Sequence, residues 1–360
     1  MPPTARFAIV GNGWRAQFFH RIVAALSDEF EIIGVVVRSR QTADAVAATW
    51  GSPTFDSVDR MLTRERPDFV VACGPRDVNV LVALACVAAG VPVLAETPPA
   101  EDAEGLRRLW AAVGASGLVQ VAEQYLLMPQ HAARREVVRR GTIGTPTSVQ
   151  VSSTHLYHAV SMIRGFLGVQ FEPTEVRAQS FVAPLVDPMG QRGWTDDEAP
   201  RERATTIATL DFGGAHGLYD FTENQWHNQL RSRRIVIRGS HGEIADDDVS
   251  RMPEPRTFTT SRLVRRQLGY DLDLDGYDTD HITFDGDVVW RNGFLGARFS
   301  DEEIAIATLL RRTAAWATGS GDAPYPLAEA SQDHLLGIAI EESAALGVPV
   351  RTAREPWAVG

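Results

Sequence analysis

Apolar residues in the first third of the chain form short continuous runs, and segments with helical spacing separate these runs. The runs predict five strands, at residues 7–10, 31–37, 68–72, 91–95 and 118–122. Helical spacing is found at residues 14–26, 41–50 and 101–115. Strands that are apolar along their whole length are typical of a parallel sheet that helices cover on both faces. We therefore predict a doubly wound α/β domain over residues 1–125.

The pattern changes after about residue 125, where strands with period-two alternation replace the continuous apolar runs. These strands are predicted at residues 147–153, 203–212, 217–221 and 234–238. Further helices are predicted at residues 130–140, 301–318 and 327–346. The polar segment at 187–203 is interpreted as a loop that forms a flap or an interface arm. Because few helices separate the strands, we expect a second α/β domain over residues 126–360 with a mostly antiparallel, open sheet.

A glycine-rich loop follows the first predicted strand and begins the first predicted helix. Its residues fit the pattern G-x-G-x-x-G/A and are Gly11, Asn12, Gly13, Trp14, Arg15 and Ala16. Gly11 permits a tight turn, and Gly13 lets the backbone approach a pyrophosphate, which the free N–H groups of the helix N-terminus can bind. A glycine turn without a ligand is the alternative. The strand–loop–helix context favours a Rossmann domain that binds NAD(P).

The end of the second predicted strand bears on which dinucleotide binds. Domains that prefer NAD place an acidic residue there, roughly 20 residues after the glycine loop. This chain has Val37 at that point, followed by Arg38, Ser39 and Arg40. Two guanidinium groups and a hydroxyl suit the 2′-phosphate of NADP. We therefore favour NADP over NAD, with a solvated basic turn as the alternative.

Charge and cysteine content restrict the partners and the compartment. The formal net charge of -11 argues against binding to nucleic acid or to an anionic membrane, which both need concentrated Lys and Arg. Cys73 and Cys86 form no CxxC pair and are interpreted as free thiols in a reducing compartment. Gly90 and Pro92 interrupt the most apolar stretch, and no signal peptide is evident. We expect a cytoplasmic protein without a membrane span.

Six motifs occur along the chain in the order of one known family. They are GNGWRA at 11–16, VLAETP at 93–98, GTIG at 141–144, HAVSMIRGFLG at 158–168, GSHGE at 239–243 and YPLAEA at 325–330. With them the chain resembles the glucose–fructose oxidoreductase and inositol dehydrogenase family, called Gfo/Idh/MocA, over nearly its whole length. The resemblance implies a sugar, polyol or sugar derivative bound between two domains, near the nicotinamide. It also implies a homodimer or homotetramer, since another subunit commonly buries the open sheet face.

The chain departs from the family pattern at three positions. Thr97 stands where the family usually has the lysine of Glu-Lys-Pro, after Glu96, which the resemblance places near the nicotinamide ribose. Thr154 and Ser161 stand where acidic residues commonly precede and follow the catalytic histidine. Only His158 remains of the usual catalytic group. The resemblance therefore implies the fold and the cofactor more strongly than it implies ordinary polyol oxidation.

His158 is the candidate catalytic base, because hydride transfer from an alcohol needs a group that takes the hydroxyl proton. Its alternative role is to cap a helix start. We assign Tyr157 to the catalytic group and His155 to substrate contact, since either can bind substrate or relay a proton. Tyr125 follows the fifth predicted strand, where strand ends face the ligand crevice, and is a candidate substrate contact. The alternative for His155 is likewise to cap a helix start, and the alternative for Tyr125 is packing.

No metal site is predicted. His155 and His158 have i, i+3 spacing but no evident third ligand. The segment at 271–276 imitates the start of a calcium loop, but Ile282 stands at position twelve, where such a loop needs a glutamate.

Three functions are compatible with these residues. The first is an NAD(P)-dependent oxidoreductase that acts on the CH–OH group of a sugar, polyol or sugar derivative. The second is a redox-neutral glycosidase or lyase that uses tightly bound NAD(P), and the third is a non-catalytic sensor that keeps the cofactor pocket. The missing lysine favours the last two, whereas His158 and its protonatable neighbours favour chemistry.

Overall fold

A parallel sheet forms the N-terminal part of the computed structural model, which describes residues 4–190, 193–269, 271 and 276–358. Its strands are β1 (Ala5–Val10), β2 (Phe30–Val36), β3 (Thr54–Phe55), β4 (Phe69–Ala72), β5 (Val93–Ala95) and β6 (Val119–Val121). They are all parallel and lie in the order β3-β2-β1-β4-β5-β6. This is the strand order of a Rossmann fold, so the predicted fold class is confirmed for this part of the chain.

Helices connect these strands and cover both faces of the sheet. They are α1 (Trp14–Ala25), α2 (Arg40–Trp50), α3 (Val58–Arg64), α4 (Arg76–Ala88) and α5 (Ala103–Val113). Ser57 and Asp102 begin α3 and α5 by accepting a backbone N–H bond from the residue three positions on, which satisfies an otherwise free donor. The prediction of five strands was wrong by one, because β3 has two residues and carries no periodic pattern.

The second part of the chain is dominated by strands. They are β7 (Pro146–Ser152), β8 (Glu175–Leu185), β9 (Met189–Gly190), β10 (Gly193–Trp194), β11 (Arg201–Asp211), β12 (His216–Thr222), β13 (Arg234–Gly239), β14 (Gly242–Ala245), β15 (Asp248–Glu254), β16 (Thr257–Arg262), β17 (Val264–Gln267), β18 (Thr279–Phe284), β19 (Asp287–Arg291) and β20 (Val350–Arg351). Its helices are α6 (Pro129–Arg139), α7 (Leu156–Leu167), α8 (Asp301–Ala317) and α9 (Leu327–Leu346).

A nine-stranded sheet in the order β16-β15-β14-β13-β7-β12-β11-β8-β20 is the centre of this part. Its neighbouring strands are antiparallel except for β7 and β12, so the predicted mostly antiparallel sheet is confirmed. The segment at 187–203 is not the plain loop that we predicted, because β9 and β10 pair within it as a short hairpin.

One face of the large sheet is covered and the other is open. Helices α7 and α9 pack on β7, β8 and β12 and bury side chains such as Val149 and Ile163. On the opposite face, Phe181 and Ile207 are about half exposed, at 46% and 48%. The predicted open sheet is therefore present in the structure.

The two C-terminal helices hold the two parts of the chain together. Helix α8 packs on α1, where Ile304 and Leu310 share one apolar cluster with Phe19 and Ile22. Ion pairs reinforce this contact, because Arg21 Nε lies 3.0 Å from Glu303 Oε1. The junction that carries the candidate site is therefore fixed by packing as well as by the chain connection.

Candidate functional site

The glycine loop has the geometry that a phosphate cradle requires. Gly11 has φ +107°, and a Cβ there would lie 2.8 Å from the carbonyl oxygen of Cys73, so any other residue would clash. Gly13 stands at the N-cap of α1, where a Cβ would meet no atom within 4 Å. No side chain of the described residues caps α1. Its first N–H groups therefore remain available to a phosphate.

A cavity of about 950 Å³ extends from this loop to the end of β2 and to the start of α3. Gly11, Asn12, Gly13, Trp14, Arg15, Arg38 and Ser39 line it, as do Asp56 and Asp59. This brings together most of the residues that we assigned to the cofactor. The volume and the open helix end fit a dinucleotide.

Arg40 is not among the residues that line this cavity, contrary to the expectation that both arginines face the ribose. It is the first residue of α2, whereas Arg38 precedes the helix and lines the cavity wall. Ser39 is the N-cap of α2, and its Oγ accepts the N–H of Thr42 at 3.1 Å. Of the two arginines, Arg38 alone is therefore placed at the wall of this cavity.

Arg15 connects the cofactor loop to two carboxylates. Its Nη1 donates to Glu302 Oε1 at 2.8 Å, and its Nε lies 3.6 Å from Glu96 Oε1. Burial raises the pKa of Glu96, and the neighbouring guanidinium of Arg15 opposes that rise. Arg15 thus holds the carboxyl group of Glu96 after β5 and connects the glycine loop to α8 through Glu302.

A histidine–carboxylate pair lies at the junction of the two parts. His158 Nδ1 is 2.6 Å from Glu123 Oε2, and the two side chains are 11% and 1% exposed. Glu123 follows β6, and His158 lies in the first turn of α7. The other carboxylate oxygen of Glu123 accepts the backbone N–H of Tyr125 at 3.0 Å. The carboxylate is therefore held in place from its own chain segment while it binds the imidazole.

Glu123 was missed by the sequence analysis, although it is the strongest partner that His158 has. It is 35 positions away in sequence, and it lies at the carboxyl end of a parallel strand. Residues at the carboxyl end of a parallel strand face the ligand crevice, which is why Tyr125 was a candidate. The same argument applies to Glu123, two residues before it. Tyr125 follows the sixth strand, not the fifth as predicted.

Aromatic rings surround His158. The ring of Tyr125 lies 4.5 Å from that of His158, and the ring of His155 lies 5.2 Å away in an edge-on contact. Burial, His158 and Arg76 lower the pKa of His155 to about 4. At neutral pH His155 is therefore uncharged and a weak base, and its ring can form a hydrogen bond with a substrate hydroxyl.

Tyr157 is buried beside His158, with its ring 5.3 Å from the imidazole in an edge-on contact. It is 4% exposed and packs with Leu327 and Ala330, and its hydroxyl has no hydrogen-bond partner among the described residues. Burial raises its pKa well above the ordinary value for a tyrosine. This environment suits packing behind His158, so the structure gives no support to the catalytic role that we predicted for Tyr157.

The three positions that lack the family's charged groups are occupied by hydroxyl groups. Thr97 follows Glu96 directly and is half-buried. Thr154 Oγ1 accepts the indole N–H of Trp226 at 3.4 Å, and Ser161 Oγ donates to the carbonyl oxygen of His158 at 2.9 Å. Neither Thr154 nor Ser161 replaces the missing acids, whereas Glu123 supplies a carboxylate from a different segment.

Two further sequence expectations concern metals and membranes. Over the described ranges, no group of three or more His, Cys, Asp or Glu side chains is arranged to hold a metal ion. Residues 272–275 of the calcium-loop-like segment lie outside the described residues. A membrane-spanning helix is not found either, since no described helix is long and apolar enough to cross a bilayer.

A family model matches the N-terminal part of the chain. Residues 5–124 match the model of the Gfo/Idh/MocA family, described as an oxidoreductase family with an NAD-binding Rossmann fold. The Rossmann part of the chain is therefore similar to this family, in agreement with the resemblance seen in the motifs.

Two curated relatives are similar over part of the chain. An inositol 2-dehydrogenase of Rubrobacter xylanophilus is 26% identical over 172 residues, which cover 43% of this chain and 50% of the relative. A D-glucoside 3-dehydrogenase of Escherichia coli is 30% identical over 105 residues, which cover 29% of this chain and 30% of the relative. The chain thus spans about half, or less, of the length of these relatives.

Solved structures match over nearly the whole chain. Levoglucosan dehydrogenase in complex with NADH and levoglucosan has a TM-score of 0.69 at 18% identity and covers 97% of this chain and 99% of its own. The WlbA dehydrogenase of Bordetella pertussis, in complex with NADH and UDP-GlcNAcA, has a TM-score of 0.67 at 18% identity, covering 98% and 99%. At these identities the match establishes the fold of both parts of the chain.

Proposed function

We propose that the chain is an NAD(P)-dependent oxidoreductase that acts on a CH–OH group of a sugar, polyol or sugar derivative. The observation that carries the proposal is the His158–Glu123 pair, which lies beside Tyr125 and joins the two parts of the chain. The family match and the dehydrogenase relatives support the same class of reaction. We divide the chain into a cofactor domain at 1–125 and a substrate and oligomerisation domain at 126–360.

The pair can accept a proton at a defined atom. A carboxylate only accepts hydrogen bonds, so its contact with His158 Nδ1 requires the N–H to be on Nδ1. The lone pair is then on Nε2, which can take the proton of a substrate hydroxyl. The resulting imidazolium is stabilised by the charge of Glu123. The same division of roles between base and orienting carboxylate is known from catalytic triads.

A bound nicotinamide supplies the acceptor for the hydride that leaves the carbon, so the alcohol becomes a carbonyl compound. Residues of this chain fit such a cofactor, because Gly11 and Gly13 leave space for a pyrophosphate at the start of α1. Arg38 at the wall of the adenosine end supports a preference for NADP. Tyr125 and His155 flank His158 and are proposed to bind hydroxyl groups of the substrate.

Thr97 supports a second candidate, the redox-neutral glycosidase or lyase. Its hydroxyl carries no charge to stabilise an alkoxide, which makes net oxidation of an unactivated alcohol harder. A substrate that has a leaving group beside the oxidised carbon avoids this handicap. The non-catalytic sensor is the less favoured hypothesis, because such a protein needs no buried base–carboxylate pair.

The proposal is tested by incubating the protein with NAD⁺ or NADP⁺ and a panel of free polyols, methyl glycosides and disaccharides. Reduced nicotinamide is followed by absorbance and sugar products by mass spectrometry. We expect reduced cofactor and a keto-sugar in equal amounts with at least one sugar. A product without net reduced cofactor would favour the redox-neutral candidate, and no product with any sugar would refute both enzymatic proposals.

We also propose a homodimer or homotetramer and a cytoplasmic location. The open sheet face with its half-exposed Phe181 and Ile207 supports the first. The second is supported by two free cysteines, of which Cys86 is buried.

A further inference from the structure

A second large cavity begins beside the histidine–carboxylate pair. It has a volume of about 1220 Å³ and starts at His155 and Leu156, at the beginning of α7. From there it runs along the covered face of β8, β11 and β12 toward the β9–β10 hairpin. Since the rings of His155 and His158 are 5.2 Å apart, one end of this cavity adjoins the proposed base.

The cavity is larger than the proposed reaction needs. Sites for drug-sized ligands typically have about 300–1,000 Å³, and a single sugar ring is smaller than such a ligand. The cofactor has its own cavity on the other side of the junction, at the glycine loop. The space beyond His155 is therefore free for a part of the substrate that takes no part in hydride transfer.

Aromatic rings are placed at both ends of the cavity. Trp226 packs edge-on against His155 at 4.8 Å and lies 4.6 Å from Phe221, so it is fixed near the reacting end. Trp194 in β10 lines the far side and is 75% exposed. An exposed indole offers a large, rigid apolar face at little entropic cost, which suits the C–H face of a sugar ring or an aromatic aglycone.

The charges in the cavity disfavour an anionic occupant. Its two guanidinium groups are already paired, Arg203 with Asp187 and Arg201 with Asp197. Glu223 and Glu341 line the same space, and neither is paired with a cation among the described residues. The lining thus contains two ion pairs and two carboxylates without a cationic partner, so a phosphate or carboxylate group entering it would meet a negative field.

We infer that this cavity is a distal subsite for an uncharged second sugar or aglycone, so that the substrate is a neutral glycoside whose oxidised ring lies at His158. The inference rests on the proposed function, because it takes His158 as the reacting end. It excludes nucleotide sugars, whose diphosphate would have to lie among these carboxylates.

The test compares two substrates that share the oxidised ring, a methyl glycoside and the corresponding disaccharide, in wild type and in Trp194→Ala. Phe258→Ala is the matched control, because Phe258 is 73% exposed and does not line the cavity. We expect Trp194→Ala to lower kcat/KM for the disaccharide by about 3- to 10-fold, mainly through KM, which corresponds to one lost aromatic contact. The methyl glycoside in this variant, and both substrates in Phe258→Ala, should keep the wild-type values.

Calorimetric titration with the disaccharide, and with a UDP-sugar, separates this inference from the proposed function. If Trp194→Ala weakens binding of the disaccharide but no sugar is ever oxidised, the subsite stands and the proposed function fails. If oxidation occurs and Trp194→Ala affects both substrates equally or neither, the proposed function stands and the subsite is refuted. Tighter binding of the UDP-sugar than of the disaccharide, or no binding of the disaccharide, also overturns the inference.

Discussion

At the scale of single residues, the site depends on which nitrogen of His158 is free. Nδ1 is bound to Glu123, and within the described part of the chain no side chain occupies Nε2. Glu123 is 3% exposed, so water does not compete for its carboxylate. The imidazole is therefore held by one partner whose charge also favours the protonated product of the proposed reaction.

Glu123→Gln should lower kcat by roughly tenfold or more, since a base typically contributes about 10²–10⁴-fold and depends on its orientation and partner. The amide keeps the shape of the side chain but carries no charge to stabilise the imidazolium. Turnover and the dissociation constant of the cofactor are measured together. Glu104→Gln, at an exposed position of α5, is the control. Unchanged kcat in Glu123→Gln, with a normal melting temperature, would remove Glu123 from the mechanism.

Thr97 should make oxidation of simple polyols such as inositol slow, even at saturating cofactor. Thr97→Lys should raise the rate on inositol by about tenfold or more, because an ammonium can stabilise the developing alkoxide. Thr97→Met is the matched control, since it is of similar length and uncharged. Fast reduction of cofactor by inositol in the wild type would show that the missing lysine is no handicap.

Residue patterns revealed only part of this site. The glycine loop and His158 were predictable because each has a local signature or a position in the family's motif order. Glu123 was not, because its contact with His158 joins two segments that only the packing of α7 against the end of β6 brings together. The packing of Tyr157 was not predictable either, since its neighbours Leu327 and Ala330 come from a distant helix.

At the scale of elements, the residues at the start of α2 form part of the wall at the adenosine end of the proposed cofactor cavity. Ser39 caps the helix and Arg40 is its first residue, so Arg38 is the arginine that remains at the wall. Arg38 is exposed and has no ion pair with another described residue. Its guanidinium is free to bind a phosphate in a bidentate way.

The protein should therefore bind NADPH more tightly than NADH, and Arg38→Ala should remove most of that difference. A charge-assisted contact contributes about 1.5–3 kcal/mol, so the dissociation constant of NADPH should rise about 10- to 100-fold while that of NADH stays the same. Arg40→Ala is the control and should have a much smaller effect. Fluorescence titration measures all values, and equal wild-type affinities for both cofactors would contradict the account.

Long or fully apolar elements were predicted within a few residues, and strands without an apolar face were not predicted. The fully buried run of β4 and the long helix α9 gave clear patterns. Strand β16 alternates between exposed and half-buried positions and consists largely of Thr and Ser, so it lacks an apolar face. It is a strand because it pairs with β15. That pairing cannot be inferred from the residues of β16 alone.

At the scale of the whole molecule, the large sheet is covered on one face only. Phe181 and Ile207 lie on the open face of neighbouring strands β8 and β11. An exposed apolar patch on an open sheet is commonly buried by a second copy of the same chain. The patch thus supports the expectation of an oligomer, which stays a prediction.

Light scattering at micromolar concentration should show at least a dimer. Phe181→Glu should shift the protein toward the monomer, because a symmetric interface would bury the new charge twice. Leu346→Glu is the control, since Leu346 is 61% exposed at the end of α9, on the covered side of the sheet. If the wild type is a monomer, the predicted assembly is refuted. If Phe181→Glu has the same oligomeric state as an oligomeric wild type, the interface does not include the open sheet face at Phe181.

The central claim is that His158 takes the proton when a sugar hydroxyl is oxidised by the bound nicotinamide. The most direct measurement compares His158→Ala with the wild type, using the sugar that the wild type turns over fastest and recording both turnover and the dissociation constant of the cofactor. We predict that kcat falls by about 10²–10⁴-fold while the affinity for the cofactor is unchanged. A variant that turns over at nearly the wild-type rate would contradict the account.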